Sequence, residues 1–125
     1  MYQNRLYEII NVYGAVHSGK TNKVITDYVL KEDCIVVCFE TNYDSFVRQI
    51  ESISIKANYD GMDFVKYDNL VFENIKTLAE LHEHKTIVLD GFYSSELNNL
   101  LDFILKNTKL SKIVYTSQMS RENYT

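Results

Sequence analysis

Two rhythms of hydrophobic and polar positions alternate along this chain. One consists of short runs: Tyr7 to Tyr13 (YEIINVY), Cys34 to Phe39 (CIVVCF), Asp63 to Tyr67, Thr86 to Asp90 (TIVLD) and Lys112 to Thr116. Runs that stay apolar on both faces, as at Cys34 to Phe39, are what a central parallel strand requires. In the other rhythm, apolar residues return every three or four positions, the spacing of an amphipathic helix. It covers Lys20 to Glu32 through Val24, Ile25, Tyr28 and Val29, and the stretch from Thr41 or Asn42 to about Lys56 through Phe46, Val47, Ile50 and Ile53. It returns from about Asn69 to His82, through Leu70, Phe72, Ile75, Leu78, Ala79 and Leu81, and again from Ser94 or Ser95 through Leu97, Leu100, Leu101, Ile104 and Leu105. Asn42 or Thr41 can cap its helix, and Asn58-Tyr59-Asp60-Gly61 reads as a turn. Strand and helix alternate throughout, which predicts an α/β fold with a mainly parallel sheet of about five strands flanked by helices.

A length of 125 residues fits one domain, spanning 1–125, that buries enough surface to fold without staples or metals. The formal charge is −4 and no cluster of lysines or arginines stands out, which argues against a dedicated nucleic-acid surface. Contact with single-stranded DNA would have to be local or shared between subunits. No run approaches the length of a membrane span, and the start (MYQNRLYEII) lacks the pattern of a secretion signal, so a cytoplasmic location and no membrane partner are expected. Cys34 and Cys38 lie on one face of their strand about 13 Å apart, too far to bridge, and read as buried small hydrophobes. His82 and His84 form half a metal site at most; no cysteine or further histidine completes it, and they read as a solvated helix end. The ten tyrosines show no repeating interval and read as packing rather than as a base-stacking platform.

The chemistry concentrates in Gly14-Ala15-Val16-His17-Ser18-Gly19-Lys20-Thr21, which fits the phosphate-loop pattern G-x-x-x-x-G-K-[ST] between a strand run and a helical run. Glycines let the backbone wrap closely around phosphates, the loop amides form an anion nest, and the helix that follows presents its positive end. In such a loop Lys20 reaches the β- and γ-phosphates and the Thr21 hydroxyl ligates Mg²⁺, so ATP with Mg²⁺ is the expected ligand.

Ligands of parallel sheets gather at the carboxyl ends of the strands, which gives weight to polar residues that close apolar runs. Asp90 closes Thr86 to Leu89 and has the position of a Walker B carboxylate holding Mg²⁺. Glu40, after Cys38-Phe39, has the chemistry to deprotonate the water that attacks the γ-phosphate. Ser117 and Gln118 close the last strand, where an uncharged amide can hydrogen-bond the γ-phosphate. Gly91-Phe92-Tyr93 reads as an aromatic loop that stacks on a base or, more naturally for an acidic chain, fills a neighbouring subunit.

The stretch Ile35-Val36-Val37-Cys38-Phe39-Glu40-Thr41 resembles the strand ending in the catalytic glutamate of RecA-like ATPases, and Ser117-Gln118-Met119-Ser120-Arg121 resembles the SQ-x-x-R segment of DnaB-type replicative helicases. The resemblance runs from about Tyr7 to Arg121. It implies a three-layer RecA-like P-loop NTPase fold, phosphate and Mg²⁺ binding by Lys20 and Thr21, Glu40 as base, Asp90 as Walker B residue and Gln118 as γ-phosphate sensor. It further implies a sensor strand wedged between the loop strand and the Walker B strand, with Gln118 beside Lys20. The family core continues into further strands and a DNA-contacting loop that the resemblance does not reach, so the expectation is a minimal, C-terminally truncated core whose loop strand lies near a sheet edge.

Three functions compete. The first is a small RecA-like ATPase acting in DNA replication, recombination or mobile-element maintenance, as a homo-oligomer or assembled with a helicase or recombinase. The second is a catalytically weak nucleotide-binding regulator of a replicative helicase. The third is a small-molecule or nucleoside kinase, for which the chain offers no basic lid segment.

Overall fold

The structure is a computed structural model that describes residues 6–12 and 19–117. Five strands, β1 (Glu8–Asn11), β2 (Cys34–Cys38), β3 (Met62–Lys66), β4 (Thr86–Phe92) and β5 (Lys112–Ser117), form one sheet in the order β1-β5-β4-β2-β3. Every pairing is parallel. β2 and β4 are central, which accounts for their unbroken apolar runs: all five residues of β2 are buried, as are Thr86 to Asp90. β1 is an edge strand among the described residues, as expected of the strand that precedes the loop, and its Glu8 and Ile9 are exposed.

Helices cover both faces. On one, α1 (Lys20–Val24), the π-helical turn Ile25–Val29 that continues it, and α2 (Tyr43–Ile53) bury Val24, Ile25, Val29, Phe46 and Ile50 against Cys34, Val36, Cys38, Val88 and Val114. On the other, α3 (Val71–Leu81) and α4 (Ser94–Asn107) bury Val71, Ile75, Leu97, Leu100 and Ile104 against Ile35, Val37, Ile87, Leu89 and Ile113. The period-two split of each strand thus feeds two separate cores. Asn42 caps α2 as expected, its Oδ1 accepting from the Ser45 N–H at 2.8 Å.

Two expectations need correction. The helix read as Lys20 to Glu32 is α-helical only to Val24, widens into a π-helix with Leu30 N–H donating to Ile25 O at 3.0 Å, and stops at Val29. Apolar spacing marks the buried face, and that face is preserved when a single turn widens from i→i−4 to i→i−5 bonding. The aromatic loop at Gly91 to Tyr93 is also not a free loop. β4 runs on through Phe92, which is fully buried and packs its ring against Phe39 and Tyr67 at centroid distances of 5.3 and 5.4 Å. Gly91, at φ +79°, supplies the irregularity between Leu89 and Phe92 that lets the strand resume and turns Phe92 inward.

Candidate functional site at the carboxyl ends of the strands

From β2 the chain departs through α2 towards β3, and from β4 through α4 towards β5, on opposite faces and in opposite directions. The carboxyl ends of β2 and β4 therefore flank a topological switch point, the place where open α/β sheets bind ligands. Of the side chains singled out from the sequence, Lys20, Thr21 and Asp90 come together at these carboxyl ends. Thr21, in the first turn of α1, donates its hydroxyl to the Asp90 carboxylate, at 3.3 Å from Oδ1 and 3.2 Å from Oδ2. Lys20 donates its Nζ to the carbonyl of Ser117, the last residue of β5, at 3.0 Å. Residues separated by 69 and 97 positions in the chain are thus held in direct contact.

Gly19 precedes α1 at φ +84°, in the left-handed region that a side chain disfavours. Glu40 lies exposed just past the end of β2; its neighbour Phe39 donates its N–H to Asp90 O at 3.1 Å, so the glutamate is tethered to Asp90 through one residue. Gly14, Ala15, Val16, His17, Ser18, Gln118 and Arg121 lie outside the described residues.

Thr116 belongs to the site, although its residue type alone gave no warning. It is buried in β5, donates its hydroxyl to Asp90 Oδ1 at 2.7 Å, and accepts from the Gly91 N–H at 2.9 Å. Asp90 is 7% exposed and receives hydroxyl bonds from both Thr21 and Thr116, which is how a nearly buried carboxylate is kept solvated by protein. The available signal was a lone polar residue near the end of an apolar strand.

The same carboxylate acts on Cys38. Burial first, then the nearby Asp90 charge, raise the Cys38 thiol pKa well above its usual value, with Lys66 opposing. Burial, with Glu32, Asp33 and Asp63, pushes Cys34 up to about 12. Both cysteines are free and buried, as the sequence indicated, and are inert as nucleophiles.

His82 is the solvated helix end expected, closing α3 with its side chain half exposed, whereas His84 departs from expectation. His84 is 8% exposed rather than solvated, and its Nε2 lies 2.6 Å from Asp63 Oδ2, while His82 Nδ1 lies 2.5 Å from the same oxygen. The missing third group was an aspartate on β3, not a cysteine or histidine, and strand periodicity does not tell which helix end an aspartate faces. A cleft of about 510 Å³, lined by Glu80, Glu83, His84, Lys85 and Thr108 among others, opens on this amino-terminal side of the sheet, remote from Asp90.

Among the described residues no helix is long and apolar enough to cross a membrane. No family model matches this chain, and no curated protein matches it.

Proposed function

We propose that this chain is a small RecA-like ATPase that binds ATP with Mg²⁺ at the carboxyl ends of β4 and β5. The observation that carries the reading is the Thr21–Asp90 contact made beside the Lys20–Ser117 contact. Thr21 and Asp90 are a hydroxyl and a carboxylate, the hard oxygen donors that Mg²⁺ takes. Lys20 is a point charge of the kind that binds phosphate, held at the mouth of β5. The strand order supports the same reading, since β5, the strand that leads to Gln118, lies between β1 and β4.

In this reading the roles divide by geometry. Lys20 neutralises phosphate charge, Thr21 and Asp90 orient the ion, Thr116 fixes the Asp90 rotamer, and exposed Glu40 accepts the proton of the attacking water. Gln118, which follows β5 in the sequence, has the γ-phosphate sensing role that the family resemblance implies. The physiological setting is DNA replication, recombination or mobile-element maintenance. Among the described residues no strand pairs the outer edge of β1, where Leu6 is 94% exposed and Ile9 half exposed, which favours a protein partner, either another copy or a helicase or recombinase.

The test is Glu40→Gln. The variant is expected to keep ATP affinity while turnover drops by about 10²–10⁴-fold, the usual contribution of a positioned base. Turnover equal to that of the unaltered chain removes Glu40 from the mechanism.

A further inference from the structure

At the opposite end of the sheet, Asp63, His82 and His84 place one carboxylate oxygen and two ring nitrogens within 4.8 Å of one another. Asp63 is the second residue of β3, and the histidines lie between α3 and β4. Thr86 and Asp90 mark the two ends of the same strand segment, about 13 Å apart, so this cluster is separate from the phosphate side. We propose that it is a binding site for a divalent transition cation of the zinc class, with His82 Nδ1, His84 Nε2 and Asp63 Oδ2 as ligands and a fourth position open to water.

Several features point to a ligand set rather than to ordinary pairing. Two imidazoles converge on one oxygen, whereas a single histidine is enough to satisfy a carboxylate of this exposure. The convergence depends on Glu83, which lies between them at φ +51°, the left-handed region that costs a residue with a side chain about 1–2 kcal/mol. His84 is nearly buried and its Nδ1 has no protein partner, an arrangement that water in the adjoining cleft can complete. His82 is half exposed, leaving an entry path and room for the fourth ligand.

The donor set selects the ion. Two borderline-soft imidazoles with one carboxylate favour zinc and its neighbours, whereas Mg²⁺ and Ca²⁺ take all-oxygen sets. Tetrahedral ligands at about 2.1 Å stand about 3.4 Å apart, so the observed 2.5 and 2.6 Å separations must widen by under about 1 Å. Edge strand β3 and half-exposed His82 are the parts able to give. Once bound, the ion ties that edge strand to the segment leading into β4, the strand that carries Asp90.

Titration of zinc chloride into the metal-free 125-residue chain, followed by calorimetry and by the visible spectrum of a cobalt(II) substitute, tests this. One ion per chain with a tetrahedral cobalt spectrum and a raised melting temperature is expected. His82→Gln, at a half-exposed position and checked by circular dichroism to be folded, should weaken affinity by at least about tenfold. Asp63→Asn should do the same, and Lys20→Ala should bind zinc as the unaltered chain does. An absence of binding, or binding that survives His82→Gln and Asp63→Asn, overturns the proposal. Because Lys20→Ala acts only at the other end of the sheet, failure here leaves the ATP reading to stand or fall by itself.

Discussion

Replacing Thr116 by Val removes a hydroxyl and leaves the shape of the side chain unchanged. The hydroxyl donates to Asp90 at 2.7 Å and accepts from Gly91 at 2.9 Å, and Thr116 is 2% exposed, so no bulk water takes its place. A bond to a carboxylate contributes about 1.5–3 kcal/mol and a neutral one about 0.5–1.5 kcal/mol, so the change should cost about 2–4 kcal/mol. For a chain of this length, with an unfolding entropy of about 2.1 cal/mol/K per residue, the melting temperature should fall by roughly 8–15 °C. Urea titration should show a lower midpoint at constant slope, since the area buried is the same. Thr116→Ser, which keeps the hydroxyl and loses one methyl, should cost about 1 kcal/mol. A Val variant within about 0.5 kcal/mol of the parent, or a Ser variant that falls as far as Val, would refute the role given to this hydroxyl.

Phe92→Ala should cost about 3–5 kcal/mol in chemical denaturation, because the ring is fully buried against Phe39 and Tyr67; a loss under about 1 kcal/mol would mean that Phe92 is a loop residue after all. Burial alone raises the Asp63 carboxyl, but the bonds from His84 and His82 outweigh it and hold its pKa below the usual range. A carboxyl depressed in the folded state stabilises above its unfolded pKa of about 3.9, and that contribution disappears as pH falls through the lower folded value. The stability advantage over Asp63→Asn should therefore shrink as pH falls below about 4, and curves that stay parallel between about pH 5 and pH 3 would contradict this. Cys34 and Cys38 should resist a disulfide exchange reagent at pH 8 until urea unfolds the chain; labelling of the native protein at the rate of free cysteine would show that they are accessible. Gly19→Ala should destabilise by about 1–2 kcal/mol through the left-handed backbone alone, measured by thermal melting without nucleotide, and an unchanged melt would indicate that the loop relaxes at no cost.

The architecture was legible because it depends on pattern. The doubly apolar runs at Ile35 to Cys38 and Ile87 to Leu89 require cover on both faces, and the alternation with helical stripes leaves few alternatives to a parallel sheet. That Thr21 meets Asp90 beside Lys20 at the carboxyl ends of the strands was legible, because residues that open the helix after β1 and a carboxylate that closes an apolar strand face the same end of a parallel sheet. Thr116 and Asp63 were not, because each owes its importance to a partner on another element. Periodicity reports the face a residue occupies and is silent about what it meets there. Phe92 was misassigned for a related reason: one glycine in the left-handed region lets a strand continue beyond the polar residue that seemed to end it.

Equilibrium binding of ATP to the 125-residue chain, measured with and without Mg²⁺ and beside Lys20→Ala, decides whether Lys20, Thr21 and Asp90 form a site for ATP with Mg²⁺. Saturable binding that strengthens with Mg²⁺ and is lost in Lys20→Ala, with the variant folded by circular dichroism, is the predicted result. Failure of the unaltered chain to bind ATP, or equal binding by the variant, would rule out a nucleotide site at these residues.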